Sequence, residues 1–178
     1  MKKILFETHH LYYLPNFIPI IEVLRSRGGY DIYVSMPQYM QERERKLFYD
    51  ACSSMEIQVI NADLEATRKE KIKSANFDVI VVGNVGQITK IVSEPTIAVM
   101  VYHGIGLKQS YYNDIDQRID IRSVESEARY NKLKDHGHQN LVLTGYTKLD
   151  PFFSYNDQEK NNTKVKLGIN NDLPTLLY

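Results

Sequence analysis

The stretch Thr96-Ile-Ala-Val-Met-Val101 is the plainest strand signal in the chain, and it runs directly into Tyr102-His-Gly-Ile-Gly-Leu-Lys108. A short, almost uninterrupted apolar run that ends near glycine is typical of a strand buried on both faces of a parallel sheet. A second such run, Phe77-Asp-Val-Ile-Val-Val82, ends in Gly83-Asn84. Two runs of this kind predict a sheet whose two faces are both covered by helices.

Strand and helix patterns alternate on either side of these runs. The patterning predicts strands over residues 3–6, 31–35, 57–60, 77–82, 96–101, 118–124 and 140–144. Between them it predicts a first helix capped by Asn16 and ended by Gly28-Gly29, and further helices over 38–55, 63–75, 87–92 and 125–135. Strands separated by helices of this length indicate βαβ crossovers. We therefore expect an α/β fold with a Rossmann-like, mainly parallel sheet and helices on both faces.

Length, charge and cysteine content narrow the class of protein. A chain of 178 residues suits one domain, or one domain and the start of another. Lys+Arg and Asp+Glu number 22 each, so no net field draws the protein to nucleic acid. Cys52 stands alone, which excludes an internal disulfide and fits a reducing compartment. No apolar run suits a signal peptide or a membrane span. We expect a cytoplasmic protein, with peripheral attachment to the membrane still open.

The composition changes after Phe153. Residues 154–162 are polar and rich in turn formers, which predicts a linker. The closing Pro174-Thr-Leu-Leu-Tyr178 is typical of the opening of another buried strand. We therefore expect a Rossmann-like amino-terminal domain over 1–153, and over 154–178 a linker with the truncated start of a second domain. The alternative is a short carboxyl-terminal tail.

Small and polar residues recur directly after the predicted strands. Ligands bind at the carboxyl ends of the strands in open α/β sheets, which makes candidates of His9, His10, Asn84, His103, Gly104, Gly106, Lys108 and Gly145. Two glycines in one loop let the backbone approach a ligand closely. A histidine beside them can move a proton near neutral pH, and a lysine supplies a point charge for phosphate. The loop over 103–108 therefore predicts a phosphate-bearing substrate.

Other conspicuous side chains favour structural roles. His9-His10 are adjacent, and neither they nor the pair at 136 and 138 have the four-residue helical spacing of a zinc site, so no metal is expected. Cys52 lies on the apolar face of its predicted helix, as a buried structural thiol would. Tyr12-Tyr13 could form an exposed aromatic rim for a lipid or an acceptor, but such clusters more often form the edge of the core.

Two segments resemble the signatures of the CDP-glycerol glycerophosphotransferases of teichoic acid synthesis. Tyr102-His-Gly-Ile-Gly-Leu-Lys108 is similar to that family's His-Gly-x-x-x-Lys segment. Thr144-Gly-Tyr-Thr-Lys-Leu-Asp150 resembles its second signature, in which a strand leads into Gly-x-x-x-x-Asp. The resemblance covers residues 96–178, and its main departure is Ile105-Gly106, where many members have Thr-Pro.

The resemblance implies a GT-B-like arrangement of two Rossmann-type domains facing a cleft. Residues 1–153 would then be the acceptor-side domain, and residues 154–178 the linker and the truncated start of the nucleotide-binding domain. It implies a transferase that moves glycerophosphate, or a related polyol phosphate, from CDP-glycerol or a similar nucleotide-activated donor to a cell-wall polymer or lipid-linked acceptor, with no cofactor. A lipid-linked acceptor would bring the enzyme to the inner face of the membrane. His103 would act as the base or stabilise the reacting phosphate, and Gly104 and Lys108 would shape and neutralise its pocket. Gly145 and Asp150 would mark the interdomain hinge and the cleft floor, and this chain alone would be incomplete and inactive.

The sequence leaves three other functions open. A sugar-nucleotide epimerase or glycosyltransferase of the same architecture would differ in its donor. A non-catalytic α/β ligand-binding domain would bind without turnover. A metal-dependent hydrolase could be built on His9, His10 and His103, and its activity would be lost on chelation.

Overall fold

The computed structural model of the protein describes residues 1–86, 88–104, 109–113 and 118–170. Strands β1–β7 are Lys2–Glu7, Tyr30–Ser35, Gln58–Ile60, Val79–Val82, Ile97–Val101, Ile121–Val124 and Leu141–Leu143. Helices α1–α7 are Leu14–Arg27, Glu42–Ser54, Glu65–Ser74, Ser110–Asn113, Glu127–Asp135, Asp150–Ser154 and Asp157–Lys166. Short 3-10 turns occupy Leu11–Tyr13, Ile88–Lys90 and Thr147–Leu149. Met1–Lys148 form one compact unit, and a second unit begins at Leu149.

The described strands form one sheet in the order β3-β2-β1-β4-β5-β6-β7, and every neighbouring pair is parallel. The chain moves outward from β1 to β3 and then returns to the other side of β1 with β4. The strand order therefore reverses between β1 and β4, the point at which sheets of this type form a ligand-binding crevice outside the carboxyl ends of the strands. The predicted α/β class with a Rossmann-like parallel sheet is confirmed.

Helices cover both faces of the sheet, because successive side chains of a buried strand point to opposite sides. Ile4 and Phe6 of β1 belong to one core, together with apolar side chains of α1 and α2 that include Phe17, Ile21, Phe48 and Cys52. Leu5 belongs to the other core, with Ile72 of α3 and Leu133 of α5. The apolar runs of the sequence thus fill two separate cores, and Cys52 is a buried core residue, as its position on the helix predicted.

The start of the first helix differs from the prediction. Helix α1 begins at Leu14, so Asn16 lies inside it and does not cap it. The 3-10 turn over Leu11–Tyr13 leads directly into the helix, and Pro15 occupies its first turn, where a missing N–H costs nothing. Asn16 is buried, and its side-chain nitrogen donates to the carbonyl of Tyr12 at 3.3 Å.

Several predicted elements are shorter in the structure. Strand β6 begins at Ile121 and not at residue 118, and helix α2 covers Glu42–Ser54 where the pattern predicted 38–55. The helix predicted over 87–92 is a single 3-10 turn over Ile88–Lys90. None of these differences moves the carboxyl end of a strand.

The segment predicted as a polar linker contains helix α7. Asn156 accepts from the backbone N–H of Glu159, and the Glu159 carboxylate accepts in return from the backbone N–H of Asn156. This reciprocal capping, with acidic residues in the first turn and lysines in the last, stabilises a helix that has no apolar face. The strand predicted to open at 174–178 lies outside the described residues, and the domain division after residue 153 stays a prediction.

Candidate functional site

The carboxyl ends of β1, β4 and β5 meet at the reversal in strand order, and their loops place a cluster of aromatic and imidazole rings there. Tyr13 is the central ring of this cluster. The His103 ring lies 4.4 Å from it, the Tyr12 ring 4.6 Å and the His9 ring 6.4 Å, centroid to centroid. Sequence reasoning favoured the core edge over an exposed rim for the Tyr12-Tyr13 pair; Tyr13 is 1% exposed, whereas Tyr12 is 50% exposed.

His103 is held by the backbone of the neighbouring strand. Its Nδ1 lies 2.7 Å from the carbonyl oxygen of Gly83, the first residue after β4. A carbonyl oxygen only accepts, so Nδ1 carries the proton, and the lone pair of the neutral ring is on Nε2. The half-buried imidazole is therefore fixed through Nδ1 at the edge where ligands bind in folds of this type, with its basic nitrogen at Nε2.

Gly83 is required by the packing of Tyr13. A Cβ at position 83 would lie 2.9 Å from two atoms of the Tyr13 ring, closer than ordinary contact allows. The next residue, Asn84, donates from its side-chain nitrogen to the Tyr13 hydroxyl at 2.6 Å. Asn84, predicted as a binding residue, thus also anchors the central ring of the cluster.

The two adjacent histidines after β1 have different environments. His9 is 6% exposed, and this burial lowers its pKa below the ordinary 6.5 because the charged form is poorly solvated. His10 is more open, stacks on Tyr12 at 5.1 Å and faces the Glu44 carboxylate at 3.7 Å. His9 is therefore suited to hydrogen bonding as a neutral imidazole. His10, which is more exposed, is suited to a place at the rim of the crevice.

Three buried polar atoms at this edge have no hydrogen-bond partner among the described residues. They are Thr8 Oγ1, His9 Nδ1 and Asn84 Oδ1. Buried polar atoms normally find a partner in protein, water or ligand. Thr8 Oγ1 and His9 Nδ1 can each donate to or accept from a ligand or a water molecule, whereas Asn84 Oδ1 can only accept, for example from a substrate hydroxyl.

The remaining predicted residues are distributed over three regions. Gly104 follows His103, and its carbonyl accepts from Arg129 of α5 at 2.9 Å. Gly145, after β7, has φ +84°, a left-handed conformation that favours glycine. Asp150 begins helix α6 in the second unit. Gly106 and Lys108 lie outside the described residues, so their predicted phosphate contacts stay a prediction.

Sequence reasoning missed Arg129, and it placed Tyr146 after the last strand without giving it a role. Arg129 is 2% exposed, and its guanidinium reaches the loop of His103. Tyr146 donates through its hydroxyl to the carbonyl of His103 at 3.0 Å. A signal for Arg129 exists in the sequence, since it stands one turn before the core residue Leu133 and therefore lies on the buried face of its helix.

Neither a metal centre nor a membrane span is found within the described ranges. Those residues contain no group of three or more His, Cys, Asp or Glu side chains that could hold a metal ion. No helix within them is long and apolar enough to cross a bilayer.

Comparison with known proteins shows likeness at the level of structure. No protein-family model and no curated protein matches the sequence. Among solved structures, the fold is similar to that of S. aureus MnaA in a co-structure with UDP, with a TM-score of 0.64 and 16% sequence identity. The match covers 94% of this chain and 52% of that one, so the chain spans about half the length of this structural neighbour. At this identity the likeness establishes a shared fold.

Proposed function

We propose that this chain is the amino-terminal, acceptor-side part of a transferase that uses a nucleotide-activated donor. The reaction we propose moves glycerophosphate, or a related polyol phosphate, from CDP-glycerol to a hydroxyl of a polymer or lipid-linked acceptor. The observation that carries the proposal is the contact between His103 Nδ1 and the Gly83 carbonyl at 2.7 Å.

That contact defines how His103 would act. Nε2 takes the proton of the acceptor hydroxyl as its oxygen attacks the phosphorus that bears glycerol. The bond from that phosphorus to the bridging oxygen breaks, and CMP leaves with the electron pair. The imidazolium that forms keeps its Nδ1–H on the Gly83 carbonyl, so the developing positive charge is stabilised by an oxygen already in place.

The phosphates need positive charge and hydrogen-bond donors as well. The resemblance assigns Gly104 and Lys108 to that task, and the residues themselves suggest Gly106 as a place where the backbone approaches a phosphate closely. The buried polar atoms after β1 and β4 that have no hydrogen-bond partner, His9 Nδ1 and Asn84 Oδ1 among them, would bind the acceptor next to the base. A donor nucleotide would be held by a second domain, as in GT-B-like enzymes generally.

A second candidate is an enzyme that acts on a UDP-sugar. The similarity in fold to MnaA, whose structure holds UDP, favours this alternative. The roles of His103 and of the crevice would be unchanged, and the donor would differ. A non-catalytic binding domain would keep the crevice but show no turnover.

Donor assays on the full-length natural protein separate these candidates. CMP release from CDP-glycerol with a polyol phosphate acceptor supports the transferase, whereas conversion of a UDP-sugar supports the second candidate. Nucleotide binding with neither reaction supports the binding domain. Activity abolished by chelation would instead support the metal-dependent hydrolase.

The same assay tests His103. His103→Gln should lower kcat by about a hundredfold or more, because proton transfer contributes on that order. His136→Gln is the matched control, since His136 is an exposed histidine whose Nδ1 also contacts a carbonyl, that of Lys132 at 2.8 Å. Near-normal turnover in a well-folded His103→Gln protein would refute the assignment of the base.

A further inference from the structure

The three residues that follow β5, Tyr102 to Gly104, are contacted by two side chains from the part of the chain after β6. These side chains are Arg129 of α5 and Tyr146, which follows β7. The Arg129 guanidinium carbon lies 5.0 Å from the centre of the Tyr102 ring, within range of a cation–π contact. The Tyr146 hydroxyl donates to the His103 carbonyl at 3.0 Å, and Arg129 donates to the Gly104 carbonyl at 2.9 Å. The backbone carbonyls of His103 and of the residue after it are therefore both anchored.

The anchor on Gly104 is itself fixed by a buried ion pair. Arg129 Nε lies 2.7 Å from a carboxylate oxygen of Glu125, four residues earlier, and the side chains are only 2% and 6% exposed. Ser126 caps α5 by accepting from the backbone N–H of Arg129 at 3.3 Å, which fixes the start of the helix. A guanidinium held in this way is rigid, because moving it would leave the Glu125 charge buried without its partner.

We propose that Arg129, held by Glu125, and Tyr146 are positioning residues for His103. The inference rests on the proposed function, in which His103 is the base. The imidazole can keep Nδ1 on the Gly83 carbonyl only while its own backbone stays at the present distance from β4. Arg129 and Tyr146 hold that backbone from the opposite side, so the orientation of Nε2 depends on both sets of contacts.

The test combines the tautomer of His103 with steady-state kinetics in the full-length protein. Tyr146→Phe removes one hydroxyl, and the double variant Glu125→Gln/Arg129→Met removes the anchor on Gly104 without leaving an unpaired buried charge. Tyr49→Phe and Arg25→Met are the matched controls. Tyr49 donates to Asn61 at 2.9 Å and Arg25 donates to the Met55 carbonyl at 2.7 Å, both at exposed positions.

Long-range proton–nitrogen NMR spectra of nitrogen-15 histidine report which ring nitrogen carries the proton when the imidazole is neutral. We expect the Nδ1–H form of His103 in the wild type and both controls, and a mixture of tautomers in the two test variants. We expect kcat to fall by about tenfold or more in the test variants, with KM for the donor changed by less than about threefold.

Two results would overturn the inference. One is a folded Tyr146→Phe protein and a folded double variant that both keep the Nδ1–H form and wild-type kcat. The other is an equal change in the controls. If the double variant does not fold, Tyr146→Phe decides the matter alone. The tautomer is measured without substrate, so a failure of the proposed function, seen as full activity in His103→Gln, is distinguished from a failure of positioning.

Discussion

Arg68 of α3 donates to the Glu7 carboxylate at the end of β1 across 2.8 Å, and both side chains are 1% exposed. Ser35, at the end of β2, donates to the same carboxylate, and Arg68 donates through another nitrogen to Glu65 at 2.7 Å. Charges this deeply buried are tolerated only as hydrogen-bonded partners. The network therefore ties α3 to the strand ends beneath the loop of His9.

Removing one partner of this buried pair should be costly. Arg68→Met would leave Glu7 charged and uncompensated, and we expect the free energy of unfolding in urea to fall by about 3–5 kcal/mol. Lys46→Met is the matched control: Lys46 and Asp50 are 2.6 Å apart, but their side chains are 74% and 59% exposed. That change should cost less than about 1 kcal/mol. Similar small losses in both variants would contradict a structural role for the buried pair.

Gly86 should not tolerate a methyl group. A Cβ there would lie 2.8 Å from both His9 Nε2 and Asn84 Oδ1, and the residue has φ +47°. Gly137 is the matched control, with φ +93° and nothing within 4 Å of its Cβ position. Both alanine variants suffer backbone strain, but Gly86→Ala should lose about 1–3 kcal/mol more in urea unfolding because it also overpacks the crevice. Equal losses of unfolding free energy in the two alanine variants would contradict this prediction, because they would mean that His9 and Asn84 make room for the methyl group without a loss of stability.

Acid should destabilise the fold through His9. Burial lowers the pKa of His9 below 6.5 in the folded protein. Just below pH 6.5, the unfolded chain therefore binds a proton at this residue more readily than the folded chain does. Stability from this group is therefore present above pH 6.5 and is lost as the pH falls below it, toward the lowered folded-state pKa. The free energy of unfolding, measured between about pH 7 and pH 5, should fall less steeply for His9→Gln than for the wild type. His136→Gln, at an exposed position, is the reference variant, and parallel curves for all three proteins would refute the prediction.

Cys52 should be inert in the folded protein. Burial raises the pKa of the thiol from 9.0 to about 12, so the nucleophilic thiolate is suppressed. We expect an aromatic disulfide reagent to label Cys52 in guanidinium but not in native buffer at about pH 8, where an unperturbed thiol reacts. The same shift makes the fold lose stability as the pH rises from 9.0 toward 12, because only the unfolded chain ionises there. Rapid native labelling would contradict this burial.

Much of the fold could be predicted because the relevant signals are local. Val79–Val82 and Ile97–Val101 are almost uninterrupted apolar runs. Such a run is by itself enough to predict a strand that is buried on both faces. The start of α1 and the helix over Asp157–Lys166 were not predicted correctly. In these two cases, the composition of the segment predicted a different structure. Capping and turn contacts between residues three or four positions apart decided where the helix forms.

The candidate site was only partly predictable. The sequence indicated His9, Asn84 and His103 as neighbours at one edge, since parallel strands end together. The pairing of His103 with the Gly83 carbonyl could not be foreseen, because it joins residues 20 positions apart and depends on the register of β4 and β5.

Residue types and their periodicity alone determined the α/β class, the sheet edge that carries the polar residues and the burial of Cys52. These are properties of single strands and helices. An apolar side chain in such an element is buried in the core regardless of which other element packs against it. Tertiary structure alone decided that Tyr13 is the centre of the ring cluster and that Arg129, paired with Glu125, reaches the loop of His103. Those contacts join separate strands and helices, and their geometry exists only once the sheet order has brought the strand ends together.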